Sequence, residues 1–184
     1  MLHQSQSSAR PLQRISVLQG QIRVSTDASA ELSTVLGSCV AACLFDPQAQ
    51  IGGMNHFLLA EPPVSHDPGE VDVHYGTYLM ELLINEMLSK GALKQRIKAH
   101  LYGGANLRAG MASISTGNVM FARSFLDRER IPLLRHDLGG KCARRVDFRP
   151  ATGLVRCRRV ENTLVPDAKP ATQTDRTSGN VEFF

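Results

Sequence analysis

Cys39 directly follows Gly37-Ser38, and His56 stands 17 positions further along the chain. Three chemistries fit a thiol and an imidazole so spaced. The thiol can be a small hydrophobe in a core, since cysteine is among the most often buried residues. It can be a metal ligand together with Cys43 and His56. It can also be a nucleophile with His56 as its base, because a free thiol, with a pKa near 8.5, is mostly protonated at neutral pH and needs an imidazole to take or share the proton. A Gly-Ser step also lets the chain turn sharply, so that the sulfur and nearby backbone N–H groups come to a sheet end, where they can form an oxyanion site.

Spacing weighs against the metal. If Cys39 and Cys43 lie on one extended run, four residues at about 3.3 Å each separate them by roughly 13 Å, too far to share a zinc ion with bonds near 2.3 Å. Core filling is the expected role of Cys43, Cys142 and Cys157. For Cys39 the bland and the catalytic readings both stand on pattern alone.

The elements that must position these groups follow from periodicity. QIRVS, ELSTVL, VAACLF and IGGMNHFLL read as strands, with Asp46-Pro47 turning the chain between the last two so that His56 can return to the level of Cys39. From His74 the period changes to three-and-four spacing, with Tyr75, Tyr78, Leu79, Leu82, Leu83, Glu86 and Met87 on one helical face and Gly91 at the C-terminal cap. IKAHLY is a further strand running into Gly103-Gly104, and a second helix is expected from about 117 to 130. IPLLRHDL reads as a strand and 141–160 as a hairpin turning at Pro150–Gly153. There Val146 and Phe148 share one face, and Arg145, Asp147 and Arg149 the other.

A chain of 184 residues with 42% apolar content supports one main domain, here 15–160, between a lead-in at 1–14 and a Pro- and Thr-rich tail at 161–184 read as disordered. No run approaches the roughly 18 apolar residues of a membrane span, and the N-terminus lacks a signal-peptide core, so no membrane insertion and a cytoplasmic location are expected. Four scattered cysteines do not make a disulfide scaffold. The net charge of +4 is uneven: Lys141, Arg144, Arg145, Arg149, Arg156, Arg158 and Arg159 crowd together, a patch that prefers an acidic partner. Nucleic acid is not expected, because no aromatic platform is interleaved with these arginines.

Several separate stretches carry a resemblance: LGSCVAACLFDP, IGGMNHFLL, YLMELLINEMLSKGA, YGGAN, GNVMFARSFLDRERIPLLRHDLGG and RRVDFRPATG. In order and without large gaps over about residues 20 to 160, they resemble CheD, the chemoreceptor glutamine deamidase family. The resemblance implies a layered α/β sandwich, a mixed β-sheet with helices packed on one side, similar to deamidating toxin domains. It implies a Cys-His-Thr active site that hydrolyses glutamine amides of methyl-accepting chemotaxis receptors, with no cofactor and no metal. Cys39 takes the nucleophile's position and His56 the general acid/base's. The family's threonine falls at Ser33, with Thr34 beside it. Strand parity favours Ser33 as the orienter, since 33 and 39 are both odd, and leaves Thr34 as the alternative.

Backbone N–H groups at Ser38 and Cys39 are the expected oxyanion donors. Arg145, Arg149, Arg156 and Arg158 are candidate receptor-docking residues, against the alternative of a solvated charged face. STGN at 115 to 118 departs from the family's usual Gly and Arg before the asparagine, which weakens any substrate role for that loop. The resemblance further implies a CheC-type phosphatase as a partner in some bacteria. The last five residues, Asn180 to Phe184, loosely resemble receptor C-terminal recruiting peptides, with a frayed terminus as the plainer reading. Two rivals share the same residues: a non-enzymatic adaptor with an idle thiol, and a cysteine hydrolase acting on another amide.

Overall fold

The computed structural model describes residues 11–59, 73–107 and 112–160. Residues 1–10, 60–72, 108–111 and 161–184, the last with the Asn180–Phe184 peptide, lie outside them. Nine strands and two α-helices, with a 3-10 turn at Lys94–Arg96, are present among the described residues: β1 Gln13–Ser16, β2 Ile22–Ser25, β3 Ala30–Leu36, β4 Val40–Asp46, β5 Ile51–Asn55, α1 Val73–Ser89, β6 Lys98–Gly103, α2 Ala112–Arg128, β7 Leu133–Leu138, β8 Ala143–Arg149 and β9 Leu154–Val160. The first strand begins at Gln13, two residues before the expected start of order, and pairs in parallel with β3.

The strands divide into two mixed sheets, ordered β1-β3-β8-β9 and β2-β5-β4-β6-β7. Their facing sides bury one core of Leu32, Leu36, Val146 and Phe148 against Ala41, Cys43, Phe45, Met54 and Tyr102. On the far side of the second sheet, Val40, Ala42, Leu44 and Leu101 pack against Leu79, Met80, Leu83, Met87, Ala122 and Phe125 of the helices. The layered α/β sandwich with helices on one side is thus present, built as sheet, sheet, helices. All seven residues of β4 are buried, as expected of a central strand covered on both faces. That is why VAACLF reads as a continuous apolar run rather than an alternating one.

At the far end of β4, the buried Asp46 carboxylate accepts from Arg96 at 2.9 Å and from the Leu93 N–H at 3.0 Å. These bonds and that ion pair hold its pKa below the usual carboxylate range despite burial. Helix α1 turns a face one step round from the expected one: Leu79, Met80, Leu83, Ile84 and Met87 are buried, while Tyr75, Tyr78 and Leu82 are largely exposed. Three adjacent apolar columns make the periodicity ambiguous. The column that wins includes Gly76, whose missing side chain lets Leu59 and Phe121 close on the helix. Gly91 ends α1 as expected, with φ +105° and its N–H on the Leu88 carbonyl. No helix among the described residues is long and apolar enough to cross a membrane.

Candidate active site

Strands β4 and β5 are antiparallel with Cys43 opposite Met54. The ladder reaches the rim through a bridge between Val40 and Phe57, whose N–H and C=O groups exchange two bonds of 2.9 Å. Continuing that register sets residue 41 opposite 56, so Cys39 and His56 are diagonal neighbours on the face turned toward the first sheet. Such neighbours have backbones roughly 7–8 Å apart, within reach of an imidazole. The hairpin expected from sequence therefore does bring position 56 back to the level of position 39.

The histidine is buried and locked by one of its ring nitrogens. Thr34 Oγ1 donates to the Val17 carbonyl at 2.7 Å, which uses its only proton. The 2.9 Å contact between the same oxygen and His56 Nδ1 therefore has the ring nitrogen as donor, as does the longer 3.4 Å contact from Nδ1 to the Val17 carbonyl. A proton on Nδ1 of a neutral ring leaves Nε2 a free lone pair. Nε2 is buried and has no hydrogen-bond partner among the described residues. Burial holds the His56 pKa below its ordinary 6.5, with the Val17 carbonyl opposing in part, so the neutral, basic form prevails at physiological pH.

Cys39 is half-buried at the same rim, and its thiol donates to Gln19 Oε1 at 3.5 Å. Burial pushes the thiol pKa up, with the residue's own backbone N–H opposing in part. At rest the pair is thus thiol and imidazole rather than thiolate and imidazolium. The loop beneath is tightly held: Gly37, Ser38 and Cys39 carbonyls accept from the Ala105 N–H at 2.7 Å, Asn118 Nδ2 at 2.8 Å and the Gly104 N–H at 2.8 Å. The N–H groups of Ser38 and Cys39 meet no acceptor among the described residues. Gly103 has to be glycine here, since at φ +112° a Cβ would collide with the Cys39 carbonyl oxygen.

Ser33, the expected orienter, does not meet the imidazole. Thr34 meets His56, whereas Ser33 Oγ donates to Asp147 Oδ1 at 2.7 Å on the outer face of the first sheet. Parity holds only along one strand. Residues 37–39 carry the chain from β3 in one sheet to β4 in the other, so an odd number before the turn says nothing about an odd number after it. The inner face of β3 is instead marked by Leu32 and Leu36, with Thr34 between them. Those two leucines are the sequence signal that singles out Thr34.

The four arginines do lie on the outer face of the first sheet, but in two different states. Arg156 and Arg158 approach Asp147 Oδ2 at 3.4 and 3.0 Å, and Arg14 approaches Oδ1 at 3.7 Å. Asp147, buried against this cationic ring and the Ser33 hydroxyl, has its pKa pulled below the usual carboxylate value. Arg145 and Arg149 have no acidic partner among the described residues. A cleft of about 340 Å³ is lined by Thr34, His56, Gln19 and Arg145, so one cation of the cluster shares a cleft with the imidazole and with Gln19, the partner of the Cys39 thiol.

Comparison with known proteins places this geometry in a family. A model described as "CheD chemotactic sensory transduction" matches residues 58–159. A Zymomonas mobilis protein named probable chemoreceptor glutamine deamidase CheD is 55% identical over 172 residues, 93% of this chain and 92% of that protein. A Caulobacter vibrioides protein of the same name is 42% identical over 175 residues, 93% of each. Among solved structures, a Neisseria meningitidis protein overlaps with a TM-score of 0.46 at 10% identity, covering 70% of this chain and 64% of that one, too loose a likeness to build on.

Proposed function

Because the chain belongs to the CheD family, we propose that it is a chemoreceptor glutamine deamidase, a protein-glutamine glutaminase in which Cys39 is the nucleophile and His56 the general acid/base. The observation that carries this reading is the tautomer: a Thr34 hydroxyl committed to Val17 leaves His56 Nε2 as a buried lone pair on the face that holds the Cys39 thiol. As a receptor glutamine displaces Gln19 from the sulfur, Nε2 takes the thiol proton and sulfur bonds to the carboxamide carbon. The N–H groups of Ser38 and Cys39 hold the oxyanion. The imidazolium then protonates the departing nitrogen, ammonia leaves, and a thioester remains. Water, deprotonated by the same Nε2, breaks the carbon–sulfur bond and releases glutamate and the thiol.

Arg145 at the cleft rim supports docking of a receptor surface rich in glutamate, with Arg149, Arg156 and Arg158 as the wider basic face. A CheC-type phosphatase is a second partner in this reading, and the Asn180–Phe184 peptide a contact for other receptor-modifying enzymes. Titrating that peptide against the cognate methyltransferase or methylesterase tests the latter. The central test is incubation with glutamine-containing receptor, followed by mass spectrometry. The intact protein adds about one dalton per converted site, and Cys39→Ala abolishes the gain while keeping a native melting transition. Undiminished conversion by Cys39→Ala would remove the nucleophile from this site.

A further inference from the structure

Asn118 is the side chain that joins the two halves of the site. It is fully buried on α2, and both ends of its carboxamide are used: Nδ2 donates to the Ser38 carbonyl at 2.8 Å and Oδ1 accepts from the Leu59 N–H at 2.8 Å. One bond grips the peptide unit just before Cys39. The other grips the strand extension three residues after His56. A trans peptide is planar, with C=O and N–H pointing opposite ways. Fixing the Ser38 carbonyl against α2 therefore fixes the Cys39 N–H away from it. Fixing the Gly37 carbonyl on Ala105 does the same for the Ser38 N–H.

An independent feature agrees with that direction: neither N–H meets an acceptor among the described residues. Of the three bonds that hold the carbonyls of 37, 38 and 39, the outer two come from backbone N–H groups and only the middle one from a side chain. We propose that Asn118 is a positioning residue for the deamidation, whose grip on the Ser38 carbonyl aims the Cys39 N–H at the developing oxyanion. The proposal rests on the deamidase reading above and assigns a role to the STGN segment without placing it on the substrate.

Replacing Asn118 with Asp keeps the acceptor for the Leu59 N–H and removes the donor to Ser38. Asn118→Ser is a smaller, neutral variant in case the buried carboxylate prevents folding. With a receptor fragment as substrate, kcat should fall about 10- to 100-fold, less than the loss of a whole oxyanion donor because the N–H is misdirected rather than removed. KM should stay within about twofold, since a binding defect would raise KM while leaving kcat unchanged. Alkylation of Cys39 by iodoacetamide, which forms no oxyanion, should slow much less than kcat.

A folded variant with wild-type kcat would overturn the proposal, as would a fall in alkylation rate equal to the fall in kcat. A wild-type measurement stands beside these. A receptor peptide with glutamate semialdehyde at the target position should form a hemithioacetal whose oxygen lies about 2.7–3.1 Å from the Cys39 nitrogen. An oxygen bound elsewhere would sink the assignment. An active Cys39→Ala would sink the deamidase reading itself, whereas an inactive Cys39→Ala beside a fully active Asn118→Asp would sink only the role of Asn118.

Discussion

The space between the two sheets contains two cysteine–histidine pairs, not one. Cys39 and His56 are diagonal neighbours at its rim. Cys43 and His100 face each other directly across β4 and β6 in its interior. The histidines are close analogues: each is buried, each has its pKa lowered mainly by burial, and each commits one ring nitrogen while the other lacks a partner among the described residues. His100 Nε2 donates to the Gly153 carbonyl at 3.1 Å, and its ring packs on Phe45 with centroids 5.0 Å apart. The thiols differ far more. Cys43 has no exposed surface, and burial, with Cys157 adding to it, pushes its pKa beyond any physiological range. Cys39 is only half-buried, and its own backbone N–H opposes the upward push of burial on its pKa. A cysteine and a histidine on neighbouring strands are thus common to both pairs, and what separates a candidate nucleophile from core filling is access.

The largest test of that contrast exchanges the histidines. His56→Gln should cut deamidation about 10²–10⁴-fold, the usual worth of a positioned general base. His100→Gln should leave kcat within about twofold and lower only the melting temperature. Cys43→Ala belongs with His100→Gln: full activity at a stability cost of about 1–2 kcal/mol for lost core volume. If His100→Gln or Cys43→Ala abolished turnover in a folded protein, the assignment of the two pairs would be reversed.

Next in size is the pair of hydroxyls. Thr34→Val removes the acceptor that holds the proton on Nδ1, so kcat should drop about 10- to 100-fold, as for other groups that orient a working histidine. Ser33→Ala should leave kcat nearly unchanged, because its partner is Asp147 on the opposite face of β3. The penalty there is stability, about 1–3 kcal/mol for a buried carboxylate deprived of a donor. Urea denaturation alongside single-turnover assays separates the two outcomes.

A smaller effect concerns acid. Both histidines bind protons more weakly in the folded chain than in the unfolded one, where the value is near 6.5. The unfolded state therefore takes up more protons below that pH, so their contribution to stability is complete above about 6.5 and is lost as pH falls toward the lowered folded values. His100→Gln should flatten that slope, read as melting temperature against pH between about 7 and 5. The acid limb of kcat/KM should lie below 6.5 and stay in place in His100→Gln, because only protonation of His56 removes the base. A limb that moved with His100 would link the interior pair to the chemistry.

Much of this contrast was legible in the residues. Gly-Ser before Cys39 allowed a turn that presents a thiol, and core filling was the expected role of Cys43, although the burial of its strand on both faces was not read from the sequence. The Val146/Phe148 alternation likewise put Arg145 and Asp147 on the side where the structure has them. What sequence could not supply was the partner of each strand. β3 and β4 are consecutive yet lie in different sheets, and that jump broke the parity linking Ser33 to Cys39. Nor could spacing reveal Asn118, which lies far along the chain from Ser38 and Leu59 and acts only once α2 has packed on the second sheet. Local pattern reports the face of a residue within its own strand, but contacts between layers are decided by packing.

The smallest effect separates the arginines by whether their charge is already matched. Arg156 and Arg158 share the Asp147 carboxylate, so reversing either one disturbs an internal network before it touches a receptor. Arg145 lines the cleft beside His56 with no acidic partner among the described residues. Reversing it alters the field felt by an approaching acidic helix with little internal rearrangement. Arg145→Glu should therefore raise KM about fivefold at low ionic strength, with kcat little changed, in keeping with the modest worth of an exposed charge pair. The effect should fade as added salt shortens the screening length from about 30 Å at 0.01 M to about 8 Å at 0.15 M. Arg158→Glu should instead lower the melting temperature and shift KM less than Arg145→Glu does. If the two variants gave equal, salt-independent changes in KM, the basic face would be a structural network around Asp147, and recognition of the receptor would have to come from the apolar rim of the cleft, where Leu18 and Val35 are exposed.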